Sequence, residues 1–168
     1  MNADTNNRHA RTASVLLCTV GLFSCAAEQT ETLNLPICRT GDSPSLSIGE
    51  GIARYEPRDE GATIGLVHGP QGGFHIEVGL EATYLDASEF LRGDIVVSID
   101  DEIRAYAKPW LDFTCTEEGL RSFGTLLIFD GATPEALDGQ VVDIEATVTD
   151  ALGVRVTAQT TLVIEDLG

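Results

Sequence analysis

Between Phe74 and Leu80 apolar and other residues alternate strictly: Phe74, Ile76, Val78 and Leu80 fall on one side, His75, Glu77 and Gly79 on the other. A repeat of two puts every apolar side chain on one face of an extended chain, the pattern of a half-buried β-strand. The same repeat recurs at Leu46 and Ile48, against Ser45 and Ser47, and in two longer runs over residues 140–149 and 154–165. Residues 62–67, 94–100, 103–107 and 125–129 read as further strands, each bounded by Gly, Pro, Asp or Ser. No stretch carries a long helical repeat; residues 86–92 are the best candidate for one or two helical turns, with Asp86 as the cap. Eight short strands with one apolar face each and hardly any helix predict an all-β fold, an antiparallel β-sandwich of about seven to eight strands.

The last two strands can be placed in register. Val142, Ile144, Ala146 and Val148 form the inward set of the first, and Val154, Val156, Ala158, Thr160, Leu162 and Ile164 that of the second. Paired residues share a face, so a two-residue loop, which would set Val148 opposite Arg155, is disfavoured. A three-residue loop, Ala151-Leu152-Gly153, sets Val148 opposite Val156 and gives Gly153 the left-handed position that a glycine bulge requires. Thr147 then pairs with Thr157 and Glu145 with Gln159 on the outward face.

This closing pattern, an alternating strand, Thr149-Asp150-Ala151-Leu152-Gly153, and a second alternating strand, resembles the end of bacterial immunoglobulin-like domains. The resemblance implies an immunoglobulin-like β-sandwich. Upstream, Gly69-Pro70-Gln71-Gly72-Gly73-Phe74-His75 is similar to a segment of uncharacterised bacterial lipoproteins, a likeness that brings no known activity and no catalytic residue. Its glycines suit a tight turn into the strand that begins near Phe74.

That turn is flanked by His68 and His75, and His75 and Glu77 project from one strand face. His68, His75 and Glu77 are therefore the candidate ligands for zinc or copper, set against a plain turn followed by a solvent-facing histidine. Asp100-Asp101-Glu102, Glu117-Glu118 and Asp130 are the carboxylates a calcium site would draw on, but they match no EF-hand or nonapeptide repeat; Asp100-Asp101 reads as a hairpin turn. Lys108-Pro109-Trp110-Leu111-Asp112-Phe113 is either an exposed recognition surface or, as the expected reading, a segment whose Trp110 packs into the core.

The N-terminus has the layout of an export signal: Arg8, His9 and Arg11, an apolar stretch from Ala13 to Phe23, then small residues. Eleven interrupted apolar residues are too few to span a bilayer, which takes about 20. Leu22-Phe23-Ser24-Cys25 resembles the lipobox of bacterial lipoproteins, with Phe23 a departure from the usual small or aliphatic residue. The resemblance implies diacylglycerol on the Cys25 thiol and cleavage after Ser24. It also implies retention in the outer membrane, since Ala26 is not the aspartate that keeps lipoproteins in the inner one. An ordinary secretory signal cut after Ala26 or Ala27, giving a secreted protein, is the alternative. Residues 1–24 are then the signal peptide, 25–36 a polar tether and 37–168 the domain.

Cys18 leaves with the signal and Cys25 is lipidated on this reading, so Cys38 and Cys115 remain in an oxidising compartment and are expected to form a disulfide, with two buried free thiols the competing reading. Without the leader the chain has eight basic and 26 acidic residues, a net charge of −18, and its single lysine is Lys108. That field repels phosphates and excludes nucleic acid as a partner. The sequence carries no G-x-S-x-G elbow, H-E-x-x-H helix or nucleotide loop, so no catalytic residue and no cofactor are assigned. The expectation is a membrane-anchored, non-enzymatic binding or structural module with a protein or glycan partner in the cell envelope. The alternative is a small metal-binding protein or metal-dependent hydrolase using His68, His75 and Glu77.

Overall fold

The structure is a computed structural model that describes Ser43–Gly168. The predicted signal peptide, lipobox, tether and Cys38 lie outside the described residues. The domain is all-β, as the alternation requires. Eight strands have six residues or more: β1 (Ser45–Glu50), β3 (Thr63–His68), β4 (Phe74–Thr83), β5 (Leu91–Ile99), β6 (Glu102–Ala107), β9 (Leu120–Phe129), β10 (Val141–Thr149) and β11 (Arg155–Asp166). Three two-residue strands, β2 (Glu56–Pro57), β7 (Trp110–Leu111) and β8 (Thr114–Cys115), raise the total to eleven. They are too short for periodicity to announce them.

One sheet is built on β4, which pairs antiparallel with β9 on one side and with β1 on the other; β2 pairs with β1 and β8 with β9. The second runs β3-β11-β10-β5-β6, with β7 on the end of β5. β3 belongs to both: Thr63–Leu66 pair parallel with β11, and Val67 and His68 pair antiparallel with β4. β3 thus joins the two sheets, and the whole is a mostly antiparallel, sandwich-like all-β fold. The inward sets meet in one core. Ile76, Val78, Leu80, Ile95, Val97, Leu127, Val142, Ile144, Ala146, Val148 and Leu162 are all buried. Fully burying each of the larger ones stabilises the fold by about 1.5–3 kcal/mol relative to exposure.

The helical turn falls elsewhere than the sequence suggested. Residues 86–90 form no helix; the Asp86 carboxylate instead accepts the Ser88 amide at 3.0 Å, a local turn that competes with helix formation. The turn is α1 (Pro134–Leu137), begun by a proline in its first turn and pinned to the core by Leu137.

Beneath Tyr55 the outer face of the first sheet is closed by two glycines. Gly49 and Gly79 face each other across β1 and β4, and the Tyr55 ring lies over both. A β-carbon on Gly49 would stand 2.3 Å from the Glu56 carbonyl oxygen and 2.7 Å from the ring. Burial pushes the Tyr55 hydroxyl pKa up, the Glu81 carboxylate adds to this, and the Arg121 guanidinium opposes it. Gly49→Ala should destabilise the domain by about 2–3 kcal/mol in urea unfolding, as β2 and the ring are forced away. A loss below about 0.5 kcal/mol would mean that the seat is looser than its contacts imply.

Candidate functional site

The outward side chains of β11, β10, β5 and β6 stand in rows fixed by the register. Thr161, Asp143, Ser98 and Ile103 form one row, and Gln159, Glu145, Val96 and Tyr106 the next. Thr157, Thr147 and Asp94 follow, with Arg155, Thr149, Arg92 and Trp110 beyond them. The first row and Gln159, Glu145 and Val96 of the second, with Glu60 and Asp101 at their rim, line an open depression of about 740 Å3. Thr161 donates to Asp143 at 2.8 Å and Gln159 to Glu145 at 2.5 Å, so both carboxylates are held by the neighbouring strand. Asp101 reaches the rim because the β5–β6 connection is a two-residue turn. Asp100 (φ 49°) and Asp101 (φ 64°) both occupy the left-handed region, which a primed hairpin turn demands. The sequence expectation of a turn there holds.

Large apolar side chains are exposed on the same sheet: Tyr106 is 70 % exposed, Ile103 62 % and Trp110 66 %. This corrects the expectation that Trp110 packs in the core. β7 pairs Leu111 with Leu91 and Trp110 with Arg92; Leu111 turns inward and Trp110 outward, where the Arg92 guanidinium lies 5.4 Å from its ring centre. Phe113 fills the core position instead.

The predicted metal ligands do not converge. His68 pairs with Phe74 and Val67 with His75, so the two histidines project from opposite faces of the β3–β4 hairpin. His68 bonds the Asp166 carboxylate at 2.7 Å and meets the Phe74 ring edge-on. The Gly168 amide, and after it the His68 ring, hold the Asp166 carboxyl below its ordinary range. His75 keeps Glu77 as its neighbour, with Nε2 3.8 Å from the carboxylate. Among the described residues no three His, Cys, Asp or Glu side chains gather as a metal ion would need, the calcium candidates included. The glycine-rich turn before Phe74 is closed by Gly69 N–H to Gly73 O at 2.7 Å, with Gly72 at φ 82°.

Cys115 lies at the end of β8, opposite Leu120. Its predicted partner is Cys38. Leu46, Ala82, Leu120 and Cys115 occupy successive strands of one row, so Cys115 stands three strand spacings from β1, about 14 Å. Eight residues separate Leu46 from Cys38, and an extended chain of that length reaches about 27 Å.

The depression and its rows were not legible as a site beforehand. Alternation sets Glu145 with Gln159 as an outward pair, but the lining of one depression by Asp143, Glu145, Glu60 and Asp101 depends on strands and loops distant in sequence. A scan against protein-family models finds no match, and a search of curated proteins finds none.

Proposed function

We propose that this chain is an exported lipoprotein, anchored to the cell envelope through Cys25, whose β-sandwich acts as a non-enzymatic binding module for an envelope partner. The observation that carries the binding role is the outer face of the β6-β5-β10-β11 sheet. Tyr106, Ile103 and Trp110 are exposed there beside a depression rimmed by carboxylates. Exposed aromatic residues with an apolar body and a polar tip are the anchors that recognition surfaces favour. Acylation at Cys25, outer-membrane location and a Cys38–Cys115 bond that clamps the chain's entry belong to the same reading. They rest on the leader and on the reach of residues 38–46.

Two measurements test it. Metabolic lipid labelling of wild type beside Cys25→Ser should show label and membrane association lost from the variant, because two or three acyl chains supply the anchor. Equal label on both would refute the anchor. For the binding role, a photo-crosslinking residue at position 106 in intact cells should trap a discrete partner that the same probe at position 130 does not. Identical adducts at both positions would refute the binding role.

A further inference from the structure

We propose that the outer face of the β6-β5-β10-β11 sheet docks an extended segment of a partner protein in which basic residues alternate with small ones. The inference deepens the binding-module reading above and rests on it. The surface is a sheet face with an apolar strip: Val96, Ile103 and Tyr106 lie side by side on β5 and β6, the last two largely exposed. Such a strip takes the aliphatic stems of long side chains, and an exposed tyrosine ring takes a guanidinium on its face.

Charge selects the occupant. Four carboxylates, Glu60, Asp101, Asp143 and Glu145, and no basic side chain line the depression. Across the same sheet, along the strands, the sign reverses at Arg92 and Arg155, with Lys108 beside Asp94. The face therefore accepts a cationic segment at one end and rejects it at the other, which fixes where such a segment sits.

Spacing selects its form. Asp143 and Glu145 are two residues apart on β10, which places them about 7 Å apart on one face. Alternate side chains of an extended peptide repeat at that same interval, so arginine or lysine at every second position meets both carboxylates. Gln159 and Thr161, already bonded to these carboxylates, hold them in place on one side and leave their remaining lone pairs for guanidinium.

Fluorescence anisotropy on the full mature domain, with a dye-labelled peptide of alternating arginine and serine, tests this. The peptide should bind, its glutamate–serine counterpart should not, and raising salt should weaken the complex. Asp143→Asn with Glu145→Gln should weaken binding by about tenfold or more, and Tyr106→Ala by several-fold. Asp130→Asn with Glu117→Gln removes the same charge away from the face and should change it by less than about twofold. The isosteric variants relieve like-charge repulsion, and their melting temperatures check that the fold is kept. Equal weakening by both charge pairs would reduce the effect to net charge and overturn the proposal, as would no binding of the arginine peptide at all. A discrete crosslink from position 106 in cells, with no arginine-peptide binding, would discard the basic segment while leaving the binding module standing.

Discussion

Asp150→Ala should cost the domain about 3–4 kcal/mol in equilibrium unfolding, because one buried carboxylate closes two loops. Asp150 is 7 % exposed. One oxygen accepts the Leu152 and Val154 amides at 2.9 and 2.7 Å inside its own hairpin, and the other accepts the Asp86 amide at 3.0 Å from the β4–β5 connection. Bonds to a charged acceptor contribute about 1.5–3 kcal/mol each, and part of that returns when water reaches the freed amides. Asp150→Asn should fall between, because its amide nitrogen meets a donor where the carboxylate met one as an acceptor. A loss under about 1 kcal/mol for the alanine variant would show that both loops hold without the carboxylate.

The same hairpin shows how far a sequence can be read. Val148 opposite Val156, Thr147 opposite Thr157 and Glu145 opposite Gln159 were all derived from alternation and loop length, and the structure has each pair, with Gly153 at φ 84°. Local rules sufficed because a hairpin is closed by contacts close in sequence. The buried set is right from Val142 to Val148, but Val154 is over a third exposed, since it lies in the connection before β11 begins at Arg155. What Asp150 does was not read, although an aspartate before a three-residue turn is the residue that accepts amides two positions on.

Where the repeat breaks, reading fails. β9 begins at Leu120, not Thr125, because an extra residue near Gly124 shifts its register against β4 between Val78 and Leu80. Leu120 and Ser122 face inward before the bulge, Leu127 and Phe129 after it, so the alternation changes phase and the first half no longer scores as the same strand. The exposure of Trp110 has a related cause: hydrophobicity argues for burial, but the face of a two-residue strand is decided by its pairing with Arg92 and Leu91, which no local pattern contains. The candidate face is the extreme case. Its rows exist only once β5 lies between β10 and β6.

The second large effect concerns the proposed Cys38–Cys115 bond, and it follows from topology rather than composition. Cys115 sits on β8, which is held to the sheet by two residue pairs, Thr114 with Arg121 and Cys115 with Leu120. So short a strand has little hydrogen bonding of its own, and a covalent link to the chain ahead of β1 would fasten both the edge of the sheet and the entry of the domain. In the chain-entropy account, a closed loop running from 38 to 115 stabilises the fold by about 4 kcal/mol. Cys38→Ser with Cys115→Ser should therefore lower unfolding stability by about that amount, and a reducing agent should do the same to wild type but nothing further to the double variant. Thiol-directed alkylation of the unreduced, denatured domain should label neither cysteine. Stoichiometric label at both, with melting unchanged by reductant, would mean that the chain ahead of β1 enters the domain without this clamp.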